Sequence, residues 1–279
     1  MDALVVEELT KRYGRTVAVD GLSFTVPRGS VCGFLGPNGA GKTTTLRVLF
    51  GLSRATSGRA EAIGRVGGVL DRDGFHPARS VWNELSLAAA RAGRREADID
   101  AALAASDLEH AADKRVGQCS HGTRRRLSLA AALIAEPEVL LLDEPASGLD
   151  PHALRTLRER LRAHAAAGGT VLLSSHVLED VAATCDRVVV VNRGRRVAEG
   201  ELAGLLAQRI RLRTPEPERL LTALKGLDAT PDGPDTIIVA GADPDAVGRA
   251  VRDSGVILHE MSTQGALEAL YVGLTEASR

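Results

Sequence analysis

Short apolar runs, each broken by glycine or proline within a few residues, set the pattern of this chain. Leu4-Val5-Val6 and Leu22-Ser23-Phe24-Thr25-Val26 predict strands, the second closed by Pro27-Arg28-Gly29. Val31 to Leu35 predicts another strand, running into a glycine-rich turn, and a helix starting near Lys42 carries Leu46, Val48 and Leu49 towards Gly51. Ser80 is placed to cap a helix through Trp82, Leu85 and Leu87. Asp98 to Leu108 and Arg124 to Ala135 read as helices, the latter stopped by Pro137. Val139 to Leu142 is wholly apolar and ends in acid, as expected of a strand buried on both faces. Leu154 to Ala167 predicts a helix and Thr170 to Leu173 a strand. Such alternation predicts an α/β fold with a mainly parallel sheet and an antiparallel patch near the start.

The texture changes after about Gly204. Pro215, Pro217, Pro231, Pro234 and Pro244 punctuate short strands such as Ile237-Ile238-Val239, with helices over Asp245 to Asp253 and Gly265 to Leu274. This predicts two domains, 1–205 and a small α/β accessory domain over 206–279.

With 44% hydrophobic and 25% charged residues among 279, the chain has enough apolar material for packed cores. Aromatics are only 3%, so those cores rest on Ala, Val and Leu. A formal net charge of −1 argues against a protein built to hold nucleic acid. Arg124-Arg125-Arg126 does not change that, because consecutive helical residues point in different directions; it reads as a solvated or dimer-facing surface. Cys32, Cys119 and Cys185 lack metal-ligand spacing and read as buried small side chains in a reducing compartment. No secretory signal is read at Met1-Asp2-Ala3-Leu4, and the apolar runs fall far short of the ~20 residues of a spanning helix. Work at a membrane would need a partner.

Gly36-Pro37-Asn38-Gly39-Ala40-Gly41-Lys42-Thr43 satisfies G-x-x-x-x-G-K-[ST] between a predicted strand and a predicted helix. Glycines there let backbone N–H groups wrap around phosphate, and the helix presents its positive end to the same anion. Lys42 adds a point charge, and the Thr43 hydroxyl suits Mg²⁺. Downstream, the apolar strand running into Asp143 delivers a carboxylate for Mg²⁺, and Glu144 follows in position to polarise an attacking water. Together the two motifs predict a site for a magnesium nucleotide.

Between them, Cys119-Ser120-His121-Gly122-Thr123 resembles the signature of the ATP-binding cassette (ABC) ATPases, usually Leu-Ser-Gly-Gly-Gln. Ser147-Gly148-Leu149-Asp150 resembles the family's D-loop, His176 its switch histidine, and Tyr13 the aromatic that stacks on adenine. The resemblance covers residues 1 to about 205 and is nearest to ATPase subunits of ABC-2 type exporters, antibiotic-efflux systems included. It implies a P-loop NTPase fold with an antiparallel β subdomain and a helical signature subdomain. It also implies ATP and Mg²⁺ as ligands. ATP would contact Tyr13, Gly36 to Thr44 (with Gly36, Pro37, Asn38, Gly39, Ala40, Gly41, Lys42, Thr43 and Thr44 in the loop) and Asp143. Ser120 and Gly122 would come from the opposite copy of a homodimer or a paired ATPase subunit, and Glu144 and His176 would be catalytic. A separate membrane permease, no nucleic acid, and a cytoplasmic place on the inner face of the membrane complete the expectation.

Two departures stand out. Asp71 occupies the place where the family usually has a Gln that senses Mg²⁺, which predicts an acceptor for metal-bound water. His121 and Thr123 replace Gly and Gln in the signature. The competing readings are a non-transport or hydrolysis-poor ABC protein acting as a nucleotide-gated module, and a small-molecule P-loop kinase. The kinase leaves the signature, the D-loop and His176 unexplained.

Overall fold

Alternating burial along two long strands builds the antiparallel patch. In β1 (Asp2–Tyr13), Leu4, Val6 and Leu9 are buried, and they meet β2 (Thr16–Pro27) with Leu4 opposite Val26 and Val6 opposite Phe24. The computed structural model describes residues 1–70, 74–206, 208–265 and 271. It divides into two compact units, Met1–Gly200 and Glu201–Arg279.

In the first unit, β3 (Val31–Leu35) leads through the glycine-rich turn into α1 (Lys42–Leu49), and β4 (Ser57–Ala62) adds to the free side of β1. Next come β5 (Val66–Val69), α2 (Val81–Arg91), α3 (Glu96–Ala105) and α4 (His121–Leu133). Then β6 (Val139–Leu142), α5 (Pro151–Ala166), β7 (Thr170–Ser175), α6 (Leu178–Thr184), β8 (Arg187–Asn192) and β9 (Arg195–Glu201) complete a six-stranded sheet of order β5-β6-β7-β3-β8-β9. Its first five strands pair in parallel, as a sheet covered by crossover helices requires. All four residues of β6 and all five of β3 are buried, so the run Val139 to Leu142 is hidden on both faces as read, and Val31 to Leu35 is hidden likewise.

Helices α2, α3 and α4 share a separate core of Val81, Leu85, Ile99, Leu103 and Leu127, against which Trp82 and Phe75 lie partly buried. Ser80 caps α2, its hydroxyl accepting from the Asn83 N–H. Several boundaries differ from the sequence reading, and two helix starts show why. Helix α3 starts two residues early because the Asp98 carboxylate accepts from the Arg95 N–H at 2.8 Å, fixing the first turn there. Helix α4 starts at His121 rather than Arg124, since Ser120 accepts from the Thr123 N–H at 3.1 Å and acts as its N-cap.

The second unit has α7 (Leu202–Leu206), β10 (Gln208–Arg213), α8 (Pro217–Ala223), β11 (Asp228–Pro231), β12 (Thr236–Ala240), α9 (Pro244–Ser254) and β13 (Glu260–Gly265). The sheet order is β11-β12-β10-β13 with every pair antiparallel, the split β-α-β arrangement of ferredoxin-like folds. Ile210, Leu212, Ile237 and Val239 point to one face and pack with Leu220, Val247 and Val251 of the two helices and with Leu224 just after α8. The predicted Gly265 to Leu274 helix and Asp71 fall largely or wholly outside the described residues; Gly265 itself ends β13. Among the described residues, no helix is long and apolar enough to cross a membrane.

Candidate active site

The functional side chains gather at the carboxyl ends of β3, β6 and β7, where an open parallel sheet commonly binds ligands. Parallel register aligns these three ends: Leu35 lies opposite Ser175, and Leu142 opposite Leu173. The turn after β3 needs its glycines. Gly41 caps α1 at φ 99, a conformation that strains any residue with a Cβ, and a Cβ on buried Gly36 would strike the Val191 carbonyl.

Lys42 is the first residue of α1 and is 6% exposed. Its ammonium donates to the carbonyls of Gly36 at 2.7 Å and Pro37 at 3.3 Å, and lies 3.4 Å from Glu144 Oε1. The Thr43 hydroxyl donates to Asp143 Oδ2 at 2.7 Å. Asp143, 1% exposed, has its other oxygen satisfied by the Ser174 hydroxyl at 2.5 Å. Ser174 also accepts from the Glu144 N–H at 3.0 Å, so one hydroxyl locks both acidic residues. Glu144 Oε2 lies 2.9 Å from His176 Nδ1. An ionised carboxylate cannot donate, so this contact places a proton on Nδ1. Glu144 itself sits at φ 47, unusual for a residue with a side chain, just where β6 gives way to the next loop.

A second strut arrives from the signature helix. The Arg125 guanidinium donates to the carbonyls of Asp143, Glu144 and Pro145. Arg125 is therefore bound to the acidic turn, which corrects its reading as solvated or dimer-facing, while Arg126 turns away to pair with Asp107. Arg125 and Ser174 were not assigned roles from sequence. Ser174 carried a usable signal, since it lies near the end of the strand beside the one that leads into Asp143. Arg125 carried none, because its partners lie 18 to 20 residues away.

The other expected residues stand apart from this cluster. Ser120 is exposed and engaged with Thr123, and an added Cβ on Gly122 would meet open space; no hydrogen bond or ion pair among the described residues joins either to Lys42, Thr43 or Asp143. Tyr13, 49% exposed near the β1 turn, has the Lys11 ammonium 4.8 Å from its ring centre. Asn38 and Gly39 are exposed, Pro37 and Thr44 half-buried, and Ala40 buried. All three cysteines are free and buried, and burial pushes the Cys32 thiol up to about 12.

Residues 19–147 match the family model described as ABC transporter, and residues 208–268 match a domain of unknown function, DUF8746. The Nod factor export ATP-binding protein I of Ralstonia nicotianae is 41% identical over 223 residues, covering 74% of this chain and 70% of the relative. Its counterpart in Paraburkholderia xenovorans is 40% identical over 224 residues, covering 75% and 74%. Among solved structures, an ATP-binding subunit of an ABC transporter superposes with a TM-score of 0.68 at 28% identity, covering 73% of this chain and 91% of its own. A nucleotide-free ATP-binding cassette superposes at 0.64 over 72% and 92%, and at 24% identity it shows the fold alone. With curated relatives this similar over this much of both chains, the protein belongs to the ABC transporter family, as an ATP-binding subunit that hydrolyses ATP.

Proposed function

We propose that this chain powers export through a separate membrane permease, as one of two copies that close head to tail over two ATP molecules at the cytoplasmic face of the membrane. The observation that carries the catalytic part is the bracketing of Glu144 by Lys42 on one oxygen and His176 on the other, beside the Thr43–Asp143 pair.

Arriving phosphates compete for Lys42, whose present partners are neutral carbonyls and one carboxylate. Transfer of the ammonium to the β- and γ-phosphates frees Glu144 Oε1 to accept a proton from water, while His176 fixes the opposite oxygen. Thr43 and Asp143 fit Mg²⁺, because a hydroxyl and a carboxylate held 2.7 Å apart are the hard oxygen donors that ion prefers. Bound there, Mg²⁺ would neutralise phosphate charge.

Tyr13 is assigned to the adenine by its exposure near a strand end. Ser120 and Gly122 are assigned to the partner's nucleotide, and their open surroundings at the tip of α4 support this. Residues 1–205 are assigned to the ATPase and 206–279 to an accessory domain; the two family matches, ending at 147 and beginning at 208, support the division. A groove of about 450 Å³ between β5 and α2, lined by Phe75, Arg79, Leu87 and Arg91, is the surface assigned to the permease's cytoplasmic loops. Export as the direction rests on relatives named for Nod factor export.

Glu144→Gln tests the chemistry. ATP affinity should stay within about threefold while phosphate release falls ~100-fold or more, the usual weight of a general base. Lys42→Ala should instead weaken ATP binding. Unimpaired turnover in the Gln variant would remove Glu144 from the mechanism.

A further inference from the structure

The second unit buries one face of its sheet under α8 and α9, and the other face carries exposed side chains of the central strand. Its central strand β10 reads Gln-Arg-Ile-Arg-Leu-Arg. Period-2 geometry sends Ile210 and Leu212 into the core and Arg209, Arg211 and Arg213 to the open face, where all three are exposed. Register sets them among Ala240, Ile238 and Thr236 on one side and Ser262 and Glu260 on the other.

These three cations are unlike their neighbours. Arg219, Arg249 and Arg252 each have an acid within 4.0 Å, namely Glu216, Asp243 and Asp253. Arg209, Arg211 and Arg213 have no ion pair or side-chain hydrogen bond among the described residues. Alternate residues of a strand lie about 6.8 Å apart, so three like charges repel along the middle of the sheet, where β-formers would pack better. Such a row is stabilised by anionic groups at the same spacing, and guanidinium forks suit carboxylates in particular.

We propose that this face binds an extended acidic segment of a protein partner, with Arg209, Arg211 and Arg213 each taking a carboxylate from alternate residues. The choice of a peptide over other polyanions follows from two features. Residues 208–265 contain no Phe, Trp or Tyr, so the face lacks the stacking platform that single-stranded nucleic acid uses on open sheets. The same stretch carries seven Lys and Arg against nine Asp and Glu, so no long-range field draws in a membrane or a nucleic acid. Recognition must then come from short-range, register-matched pairs, which a second strand with carboxylates every ~6.8 Å supplies.

The test uses the full chain with two labelled peptides of equal composition, one with Glu at alternate positions and one with its Glu in a block. Fluorescence anisotropy should give at least threefold tighter binding of the alternating peptide. Arg209→Thr, Arg211→Thr and Arg213→Thr combined should weaken it at least tenfold, with the calorimetric transition of the second unit retained as proof that this unit is folded. Arg211→Thr alone, retained in case the triple variant misfolds, should cost about threefold. Equal binding of the two peptides, or undiminished binding by the variants, overturns the proposal. So does arginine-dependent binding of phosphatidylserine vesicles or an oligothymidylate in preference to the peptide.

Discussion

His121 stands where ABC signatures usually carry glycine, and its ring lies against Gly148 in the loop before α5. A Cβ placed on Gly148 would come within 2.8 Å of His121 Cδ2 and 3.1 Å of Nε2. Gly148 also sits at φ 73, where a side chain is strained by roughly 1–2 kcal/mol whatever surrounds it. Gly148→Ala therefore meets two penalties in the native background, but only the backbone one once His121→Gly has removed the ring. A double-mutant cycle on urea stability should return a coupling of about 0.5–1 kcal/mol, since His121 is exposed and its ring can partly swing aside. Equal cost of Gly148→Ala in both backgrounds would show that the two residues do not touch.

At the scale of an element, α5 closes on a histidine whose surroundings make its stability depend on pH. The His164 ring packs on Gly169, its Cε1 2.6 Å from where a Cβ would stand, and its Nε2 is buried with no hydrogen-bond partner among the described residues. Burial holds its pKa below the ordinary 6.5. The folded state thus resists a proton that the unfolded chain accepts, so this contribution is present above pH 6.5 and is lost as pH falls below it. Urea midpoints taken at pH 7.5 and 5.5 should drop less in His164→Phe, which keeps a ring in the same space, than in the native protein. Parallel drops would sink the idea. Other features of these elements were legible in advance for a simple reason. The runs Val31 to Leu35 and Val139 to Leu142 are apolar at every position, and only a strand covered on both faces tolerates that. The glycine loop, Lys42, Thr43, Asp143 and Glu144 were legible because their spacing is local. The bonds that bind them into one site were not: Ser174 to Asp143 spans 31 residues, and Arg125 reaches Asp143 from another helix. Those contacts exist only after β6 and β7 pair, so no window of sequence displays them.

For the whole molecule, separate cores predict separate unfolding. Residues such as Leu4, Phe34, Leu141 and Val189 form the core beneath the nucleotide site, while Ile210, Leu212, Ile237 and Val239 form another within the second unit. Domains with their own cores can melt independently, and a ligand stabilises only the unit that binds it, by RT ln(1 + [L]/Kd). Scanning calorimetry should therefore resolve two transitions. Saturating MgADP at ~100 times its Kd should add about 2.7 kcal/mol to the first unit and raise that transition alone. Ile237→Ala, which empties part of a fully buried site at a cost of roughly 2–5 kcal/mol, should lower the other transition alone. One transition that moves with both the nucleotide and the core substitution would mean that the two units fold as a single cooperative body.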